Sequence, residues 1–262
     1  MPALGPVQTR RYTAAECRTA PQQPWVCFLG SSNPDVVALQ ETKSPDEKFP
    51  FAELAAAGYH STFSGQKTYN GVALLARSAP SDPVTDIPNH TDPQRRVLAA
   101  SYGALRVIDL YVPNGQTVGS EKYQYKLRWL AALEPWLAAQ LARHPQLVVL
   151  GDFNIAPEDR DVHDPAAWAG SVLVSEPERA ALRRLEALGL IDVFRKFEQP
   201  PASFSWWDYR AAAFRRNNGL RIDLILASQA LAAACTSCTI DKEPRRVERA
   251  SDHTPVMAVF EI

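Results

Sequence analysis

Cysteine and long hydrophobic runs are scarce in this sequence of 262 residues. Four cysteines are too few to build a disulfide scaffold in a chain of this length, and such sparse use is typical of a reducing compartment, so we expect a cytoplasmic protein. No apolar run reaches the roughly 18 residues that a transmembrane helix requires, and the N-terminus lacks the apolar segment of a secretory signal. We therefore expect no membrane partner.

A strong excess of either charge is also missing. The formal net charge is -1, with 28 basic and 29 acidic residues, so any nucleic-acid-binding surface must be a local patch. Cys235 and Cys238 form a lone C-x-x-C, with no second pair and no nearby histidine. We predict that these two residues are buried thiols rather than a zinc or redox site.

What is present is the composition of a globular domain, with 46% hydrophobic and 22% charged residues. Residues 1–24 are rich in proline and have no apolar periodicity, which predicts an irregular N-terminal arm. Residues 25–262 contain no internal repeat and no glycine- or serine-rich linker, and we interpret them as a single α/β domain. A chain of this length can bury a sizeable core on its own, and we expect a monomer.

Short apolar runs and one long amphipathic segment define the secondary structure that we predict. Buried strands are expected over residues 36–41, 71–76, 147–150 and 220–226, and a hairpin over residues 98–112. A helix is expected over residues 121–144, where leucines recur at helical spacing, although Pro135 should kink or split it. Several connections are short enough for antiparallel pairing, which favours an α/β sandwich of mixed sheets over a doubly wound parallel sheet.

The strand at residues 147–150 has the most informative ending. Gly151 follows it and gives the backbone freedom to turn, and Asp152 and Asn154 come directly afterwards. An acid and an amide two residues apart suit proton transfer and hydrogen bonding to an oxyanion. The alternative is a simple turn in which these side chains only cap the strand end.

Other predicted strands end in the same way. The polar residues at or near the ends of apolar segments are Glu41, Tyr111, Asp152, Asn154, Asp223, Asp252 and His253. If the carboxylates converge, they repel one another unless a cation compensates them. Oxygen ligands without thiolates favour Mg²⁺, or else Mn²⁺, and such sites commonly promote phosphoester hydrolysis. The alternative is that each carboxylate caps its own turn.

A second informative stretch mixes aromatic and basic residues. Residues 204–210 contain Trp206 beside a second tryptophan, and residues 214–221 combine paired arginines with Asn217. Such side chains can stack on bases or sugars and hold phosphates. Elsewhere Arg95, Lys122 and Lys126 are candidates for further contacts to a DNA backbone. The alternative is a core aromatic cluster, containing Trp207 and Tyr209, beneath a solvated basic loop.

Several of these segments resemble the exodeoxyribonuclease III family of abasic-site endonucleases. The similar segments, in the order and spacing of the family, are residues 36–43, 71–75, 111–115, 151–154, 204–209, 219–224 and 251–253. The resemblance implies the four-layer α/β sandwich shared with deoxyribonuclease I and the wider endonuclease/exonuclease/phosphatase superfamily. It also implies Mg²⁺-dependent cleavage of double-stranded DNA on the 5′ side of abasic sites. Activity on 3′-blocked ends, as a 3′–5′ exonuclease or 3′-phosphatase, is implied as well.

The resemblance carries over roles at the metal and at the reacting phosphate. Glu41 resembles the main Mg²⁺ ligand, and Asp252 contributes to the same metal site directly or through water. Asp152 resembles the residue that orients or deprotonates the attacking water, and Asn154 resembles the one that holds the phosphate. Tyr111 matches the tyrosine that donates to the phosphate or to the leaving oxygen.

Further carried-over roles concern phosphate contacts and the abasic sugar. His253 is expected to contact a phosphate oxygen, while Asp223 fixes its tautomer and raises its basicity. Asn114 resembles a phosphate contact in the DNA groove. Trp206 and Leu220 match positions that wall the pocket for the flipped-out sugar, and flipping is easiest where no base pairs.

The N-terminus departs from the family pattern. The family opens with a strand that ends in an Asn-x-Asn/Asp-Gly/Ser motif, whose first Asn helps to build the metal site, but residues 1–33 contain only Asn33, beside the wrong strand. A catalytically weak or inactive DNA-binding relative is therefore the alternative function. A superfamily phosphoesterase that acts on lipid or nucleotide phosphates is a third possibility, and the aromatic-basic stretch argues against it.

Overall fold

The structure is a computed structural model that describes residues 9–16, 33–248 and 250–262. Its strands are β1 (Thr9–Glu16), β2 (Val36–Gln40), β3 (His60–Ser64), β4 (Val72–Ala76), β5 (Ser81–Val84), β6 (Val97–Tyr102), β7 (Leu105–Tyr111), β8 (Gln146–Asp152), β9 (Leu190–Asp192), β10 (Asp223–Ser228), β11 (Cys235–Ile240) and β12 (Val256–Glu261). Its α-helices are α1 (Phe51–Ala56), α2 (Glu121–Arg143), α3 (Pro165–Trp168), α4 (Glu176–Ala187), α5 (Ala213–Arg216) and α6 (Gln229–Ala233).

The strands form two six-stranded sheets. The first sheet has the order β11-β12-β1-β2-β4-β3, and the second has the order β5-β6-β7-β8-β10-β9. Each sheet contains one parallel pair, β1 with β2 and β7 with β8, while the other pairs are antiparallel. Both sheets are therefore mixed, as the short connections predicted.

The main core lies between the two sheets. Alternate residues of the central strands point into it, such as Val36 and Ala38 from β2 and Val148 and Leu150 from β8. Because side chains alternate across a strand, the intervening residues are left to pack on the outer faces. Central strands such as β2, β4 and β8 are apolar on both faces and form continuous hydrophobic runs for this reason.

Helices cover the outer face of each sheet. On the second sheet α2 and α4 pack through residues such as Trp129, Leu133 and Leu182. On the first sheet Leu54 of α1 packs with Phe49 against the strands. The order helix, sheet, sheet, helix confirms the predicted four-layer α/β sandwich.

Helix α2 continues through Pro135, so the prediction that this residue splits the helix is wrong. Proline removes one backbone donor, which leaves the carbonyl four residues earlier without its helical partner. That carbonyl belongs to Ala131, and both Ala131 and Pro135 are on the solvent side. Water can therefore replace the lost hydrogen bond, and the buried leucine face is undisturbed.

The N-terminal region differs from the predicted irregular arm over residues 9–16, which form β1. This strand pairs with β12 on one side and β2 on the other, and its last residue, Glu16, is opposite Gln40. Backbone hydrogen bonds to two neighbouring strands stabilise β1, although its sequence lacks the apolar alternation by which a strand is predicted. Residues 1–8 and 17–24 lie outside the described part of the chain.

The C-x-x-C pair lies on β11, a short strand that the apolar pattern did not predict. Cys235 and Cys238 are free and buried, and burial raises the pKa of both thiols, as expected of inert core cysteines. Among the described residues, no helix has both the length and the apolar character needed to cross a bilayer.

Candidate active site

Strands of the second sheet bring three polar residues to one edge. Tyr111 ends β7 and is in register with Asp152, the last residue of β8. Asp223, the first residue of the antiparallel strand β10, is in register with Asp152 on its other side. Gly151 adopts φ +135° here, where an added Cβ would lie 2.0 Å from the Leu110 carbonyl oxygen, so only glycine fits.

Asp152 and Asp223 form a compact cluster with His253. Each of the three is buried and offers one ligand atom, and these atoms lie within 4.8 Å of one another. The Nδ1 atom of His253 is 3.0 Å from both carboxylate oxygens of Asp223. That contact is the arrangement expected if Asp223 fixes the imidazole and leaves Nε2 for another partner.

The environment of Asp152 disfavours its charge. Burial raises the pKa of this carboxyl to about 7, and the carboxylates of Asp223 and Glu41 add to the increase. His253 and the backbone amide of Asn154 oppose the increase without cancelling it. A carboxyl with a pKa near neutrality can both accept and release a proton under ordinary conditions.

Asn154 holds Asp152 and links it to Asn114. Its backbone N–H and its side-chain amide each donate to an Asp152 oxygen at 2.8 Å. Its Oδ1 atom accepts from Asn114 at 2.9 Å. Asn154 has φ 49°, a left-handed conformation that is costly for a residue other than glycine and that often marks functional sites.

A buried ion pair supports these two asparagines from below. Lys126 is completely buried, and its Nζ donates to the backbone carbonyls of Asn154 at 2.6 Å and Asn114 at 3.2 Å, and to Glu178. Glu178 also accepts from the Ser175 N–H at the start of α4. Lys126 therefore cannot reach a DNA backbone, and its predicted role as a phosphate contact is wrong.

Glu41 connects the first sheet to the same edge. It follows β2 with φ 53°, and it accepts a hydrogen bond from the Tyr111 hydroxyl. Lys43 Nζ lies 2.7 Å from its other oxygen. Burial, together with the carboxylates of Glu41 and Asp152, raises the pKa of Tyr111, which keeps the phenol protonated as a donor.

Arg96 positions the ring of Tyr111. Its guanidinium lies over the tyrosine ring at 4.5 Å, and Nη1 donates to the Tyr111 carbonyl at 3.1 Å. Its Nε atom donates to Gln94 at 2.9 Å. The tyrosine is thus held from the ring face and from the backbone.

The donor set of this edge fits a hard divalent cation. Asp152 and Asp223 each offer a carboxylate oxygen and His253 a ring nitrogen within 4.8 Å of one another, and this group contains no cysteine among the described residues. The carboxylates of Glu41 and Asp223 already raise the pKa of Asp152 through their charge, so a cation would relieve that repulsion. The predicted ligand Asp252 is adjacent to His253, and its Oδ2 accepts from the Trp206 indole at 3.2 Å.

Trp206 stands beside the cluster, and Leu220 supports it. Isolated bridges join Trp206 to His253 and to Leu220. Leu220 is completely buried with Val162 and Ile222, so it backs the indole rather than forming an open pocket wall. The predicted wall position of Leu220 is corrected in this respect.

Asn217 and Trp207 brace the aromatic loop internally. The Asn217 Oδ1 accepts from the Trp207 indole at 3.2 Å, and its amide donates to the Ala202 carbonyl at 3.0 Å. These bonds use the oxygen and one of the two amide N–H groups, and the substrate contact predicted for Asn217 stays a prediction. Trp207 is completely buried against Phe214, as the core alternative predicted for it, whereas Tyr209 is exposed.

Two predicted DNA contacts lie on the surface. Arg95 forms an ion pair with Asp86 at 3.2 Å, and both side chains are exposed. Lys122 is exposed on the first turn of α2. Exposed charges of this kind are available to a phosphate backbone, and these two roles stay predictions.

The supporting residues Lys126, Glu178 and Arg96 were not assigned these functions from the sequence. Lys126 carried a detectable signal, because Leu130 and Leu133 follow it at helical spacing on the buried face of α2. A lysine in that register is buried and therefore needs a carboxylate partner. The identity of the partner, Glu178, depends on the packing of α2 against α4, which are distant along the chain.

Comparisons with known proteins identify the family of this chain. Residues 2–253 match the Endonuclease/Exonuclease/phosphatase family. The exodeoxyribonuclease III of Haemophilus influenzae is 38% identical over 241 residues, which cover 87% of this chain and 90% of that protein.

Solved structures show the same fold. A 3′ phosphatase, NExo, from Neisseria, solved with a product DNA hairpin, has a TM-score of 0.93 and 44% identity, covering 97% of this chain and 100% of its own. An AP endonuclease from Archaeoglobus fulgidus has a TM-score of 0.92 and 35% identity, with the same coverage of 97% and 100%. The chain therefore belongs to the endonuclease/exonuclease/phosphatase family, and within it to the hydrolytic nucleases related to exodeoxyribonuclease III and the AP endonucleases.

Proposed function

We propose that this chain is a Mg²⁺-dependent DNA repair phosphodiesterase that cleaves the backbone on the 5′ side of abasic sites. It also trims or dephosphorylates blocked 3′ ends. The observation that carries the proposal is the buried cluster of Asp152, Asp223 and His253, in which one carboxyl has a pKa of about 7. The AP endonuclease and 3′ phosphatase among the similar structures support both parts of the activity.

Asp152 acts as the proton acceptor for the attacking water. Its two oxygens accept from the backbone and side chain of Asn154, which fixes the plane of the carboxylate. A base needs a fixed position within hydrogen-bond reach of the water, and its pKa should lie near the working pH. Asp152 meets the second condition because burial raises its pKa to about 7.

His253 and Tyr111 bind the phosphate oxygens on which charge develops. The Nδ1 side of His253 faces Asp223, which directs Nε2 away from that carboxylate, and in the protonated imidazole Nε2 donates to a phosphate oxygen. The Tyr111 hydroxyl stays protonated and can turn from Glu41 to the phosphate or to the leaving oxygen. Donors fixed before the reaction stabilise the transition state without reorganising.

Glu41 and Asp252 would hold Mg²⁺, or Mn²⁺ in its place, which when bound supplies Lewis acidity to the phosphodiester. Asn114 is exposed and donates one amide N–H to Asn154 at 2.9 Å, so its second N–H is directed to the DNA backbone, while Asn154 holds Asn114 in place. Trp206 offers an apolar surface beside the cluster for the sugar of an abasic site. A site without a base pair is the easiest to flip, which supplies damage selectivity.

A weak or inactive DNA-binding relative was the alternative suggested by the N-terminal sequence. The family asparagine was sought in residues 1–33, of which residues 1–8 and 17–32 lie outside the described part of the chain, so this alternative stays a prediction. The family match begins at residue 2 and so includes this region. Cleavage and binding of an abasic duplex, measured together, distinguish the two functions.

The test uses a labelled duplex that contains one abasic-site analogue, incubated with the full chain with and without Mg²⁺. We expect a product that ends on the 5′ side of the site only when Mg²⁺ is present. A primer that carries a 3′-phosphate reports the second activity through release of inorganic phosphate. Binding without cleavage at any Mg²⁺ concentration would identify the inactive relative instead.

A further inference from the structure

One polar pair is enclosed in the apolar core between the two sheets. Gln40 is the last residue of β2 in the first sheet, and Asp109 lies on β7 in the second. Both are completely buried, and the Gln40 Nε2 donates to Asp109 Oδ1 at 2.6 Å. Neither residue takes part in the chemistry proposed above, so the cost of burying them needs another explanation.

The atoms left over in this pair are complementary. Among the described residues, Gln40 Oε1 and Asp109 Oδ2 are buried and have no hydrogen-bond partner. An ionised carboxylate only accepts hydrogen bonds, so as an anion Asp109 would leave Gln40 Oε1 and its own Oδ2 without a donor. A carboxylic acid has one O–H donor, and a proton on Oδ2 can donate to Oε1, closing a ring of two hydrogen bonds.

Among the described residues, the neighbours of Asp109 in its own sheet carry no charge that would favour the anion. In the second sheet Asp109 is flanked by Leu98 on β6 and Leu150 on β8. Burial raises its pKa well above the ordinary range, and the Gln40 amide and the Ala73 backbone of β4 offset only part of the increase. Tyr102 on β6 interacts electrostatically with Asp109. Burial raises the pKa of Tyr102 to about 12, so its phenol is neutral.

We propose that Asp109 is a neutral carboxylic acid that forms a cyclic acid–amide pair with Gln40, and that this pair positions the active-site edge by locking β2 to β7. Gln40 immediately precedes Glu41, and Asp109 comes two residues before Tyr111 on the same face of β7. The lock therefore lies directly beneath the hydrogen bond between Tyr111 and Glu41 that joins the two sheets.

The positioning role rests on the proposed function of Glu41, but the protonation of Asp109 does not. A neutral pair also explains how an acid can be retained between two sheets, because it avoids the large desolvation cost of a buried charge. Fully satisfied buried polar groups specify one packing arrangement, whereas an apolar pair would tolerate small shifts between the sheets.

The first experiment detects the proton itself. Infrared spectra of the unmodified chain with ¹³C-carboxyl-labelled aspartate are recorded at a pH well above 7, where Asp152 is ionised. We expect one aspartate to keep the carbonyl band of a carboxylic acid, and Asp109→Asn to remove it. Only carboxylate bands at that pH would overturn the proposal, whether or not the chain cleaves DNA.

The second experiment separates positioning from stability. Asp109→Asn preserves a ring of two hydrogen bonds with Gln40, so its thermal midpoint should match that of the wild type. Its Mg²⁺ concentration for half-maximal cleavage should stay within about twofold of the wild-type value. Asp109→Val leaves the Gln40 amide unpaired and should raise the Mg²⁺ concentration for half-maximal cleavage by about tenfold. Equal losses in the two variants would contradict the neutral acid.

Val107→Ala is the matched control for the lock. Val107 lies on the same strand and the same inter-sheet face as Asp109 but is apolar. Its truncation should lower the thermal midpoint and leave the Mg²⁺ requirement unchanged. If Val107→Ala raises that requirement as much as Asp109→Val does, the pair has no positioning role beyond ordinary core packing.

Discussion

Asp152 and Asp223 are directly opposite each other on antiparallel strands, and both carboxylates are buried. Like charges at opposed positions of a sheet destabilise it, and burial increases that cost. The fold tolerates the pair because His253 lies close to both carboxylates and the pKa of Asp152 rises to about 7. Repulsion of this kind is what an acid–base site requires.

Replacing Asp152 by Asn should abolish most cleavage. An amide cannot take a proton from water, and loss of a general base typically costs about 100- to 10,000-fold in rate. Binding should persist, because the phosphate contacts and Trp206 are unchanged. Single-turnover cleavage and a gel shift on the same abasic duplex check both statements, and a variant that cleaves within tenfold of the wild type would contradict the assigned role.

The same substitution should stabilise the metal-free chain at neutral and higher pH. The folded-state pKa of Asp152 is about 7 against an ordinary value of 3.8, so the folded state holds a proton that the unfolded state releases between these values. Wild-type stability therefore falls as pH rises through this window.

Relative to the wild type, Asp152→Asn should gain up to about 4 kcal/mol above pH 7 and nothing below pH 4, since it lacks this titration. Urea unfolding in the presence of a chelator across this range measures the difference. A stability gain that does not change with pH would point to packing rather than ionisation.

Asp223→Asn should slow cleavage by about 10- to 100-fold. The carboxylate accepts from His253 Nδ1 at 3.0 Å, whereas an amide can present its NH₂ group and favour the other tautomer. The NMR titration of His253 should also show a lower pKa in the variant, since a negative neighbour is lost. An unchanged histidine titration would contradict the orienting role of Asp223.

Lys126→Met should destabilise the chain strongly. Glu178 would keep its buried negative charge without a counter-charge, and breaking one side of such a pair costs about 3–5 kcal/mol. The matched control is Lys122→Met, one turn earlier on the exposed side of α2, which should change stability by less than about 0.5 kcal/mol. Chemical unfolding of the two variants compares them directly.

Metal removal should stop cleavage and weaken the structure of the active-site edge. We expect Mg²⁺ to lower the apparent pKa of Asp152, because a cation stabilises the carboxylate, and so to extend activity to lower pH. Rate profiles at several Mg²⁺ concentrations measure the shift of the acid limb. An acid limb that does not shift with Mg²⁺ concentration would show that the metal does not affect the ionisation of Asp152.

The layers of the fold followed from patterns that are local in the sequence. Runs such as residues 147–150 are apolar on both faces, and only a strand buried between two layers needs that. The strand β1 did not follow, because its stability comes from β12 and β2, which are distant along the chain. Asp223 was placed inside a strand, whereas it begins one.

The site was predictable where its residues carry the chemistry and not where they support it. Asp152, Asn154 and Asp223 were singled out because carboxylates and amides at strand ends are conspicuous. Leu220 was given a substrate role, although it is completely buried. Composition cannot distinguish a side chain that faces the groove from one that faces inward, since only packing sets that direction.

Gly151 imposes a lasting restriction on how this protein can vary. Its neighbour across the β7–β8 pairing leaves room for a hydrogen atom only, since even a methyl carbon would lie 2.0 Å from the Leu110 carbonyl oxygen. Any side chain there would push the two strands apart and tilt the carboxylate that follows. Laboratory evolution toward new substrates should therefore change the surrounding loops and keep glycine at position 151.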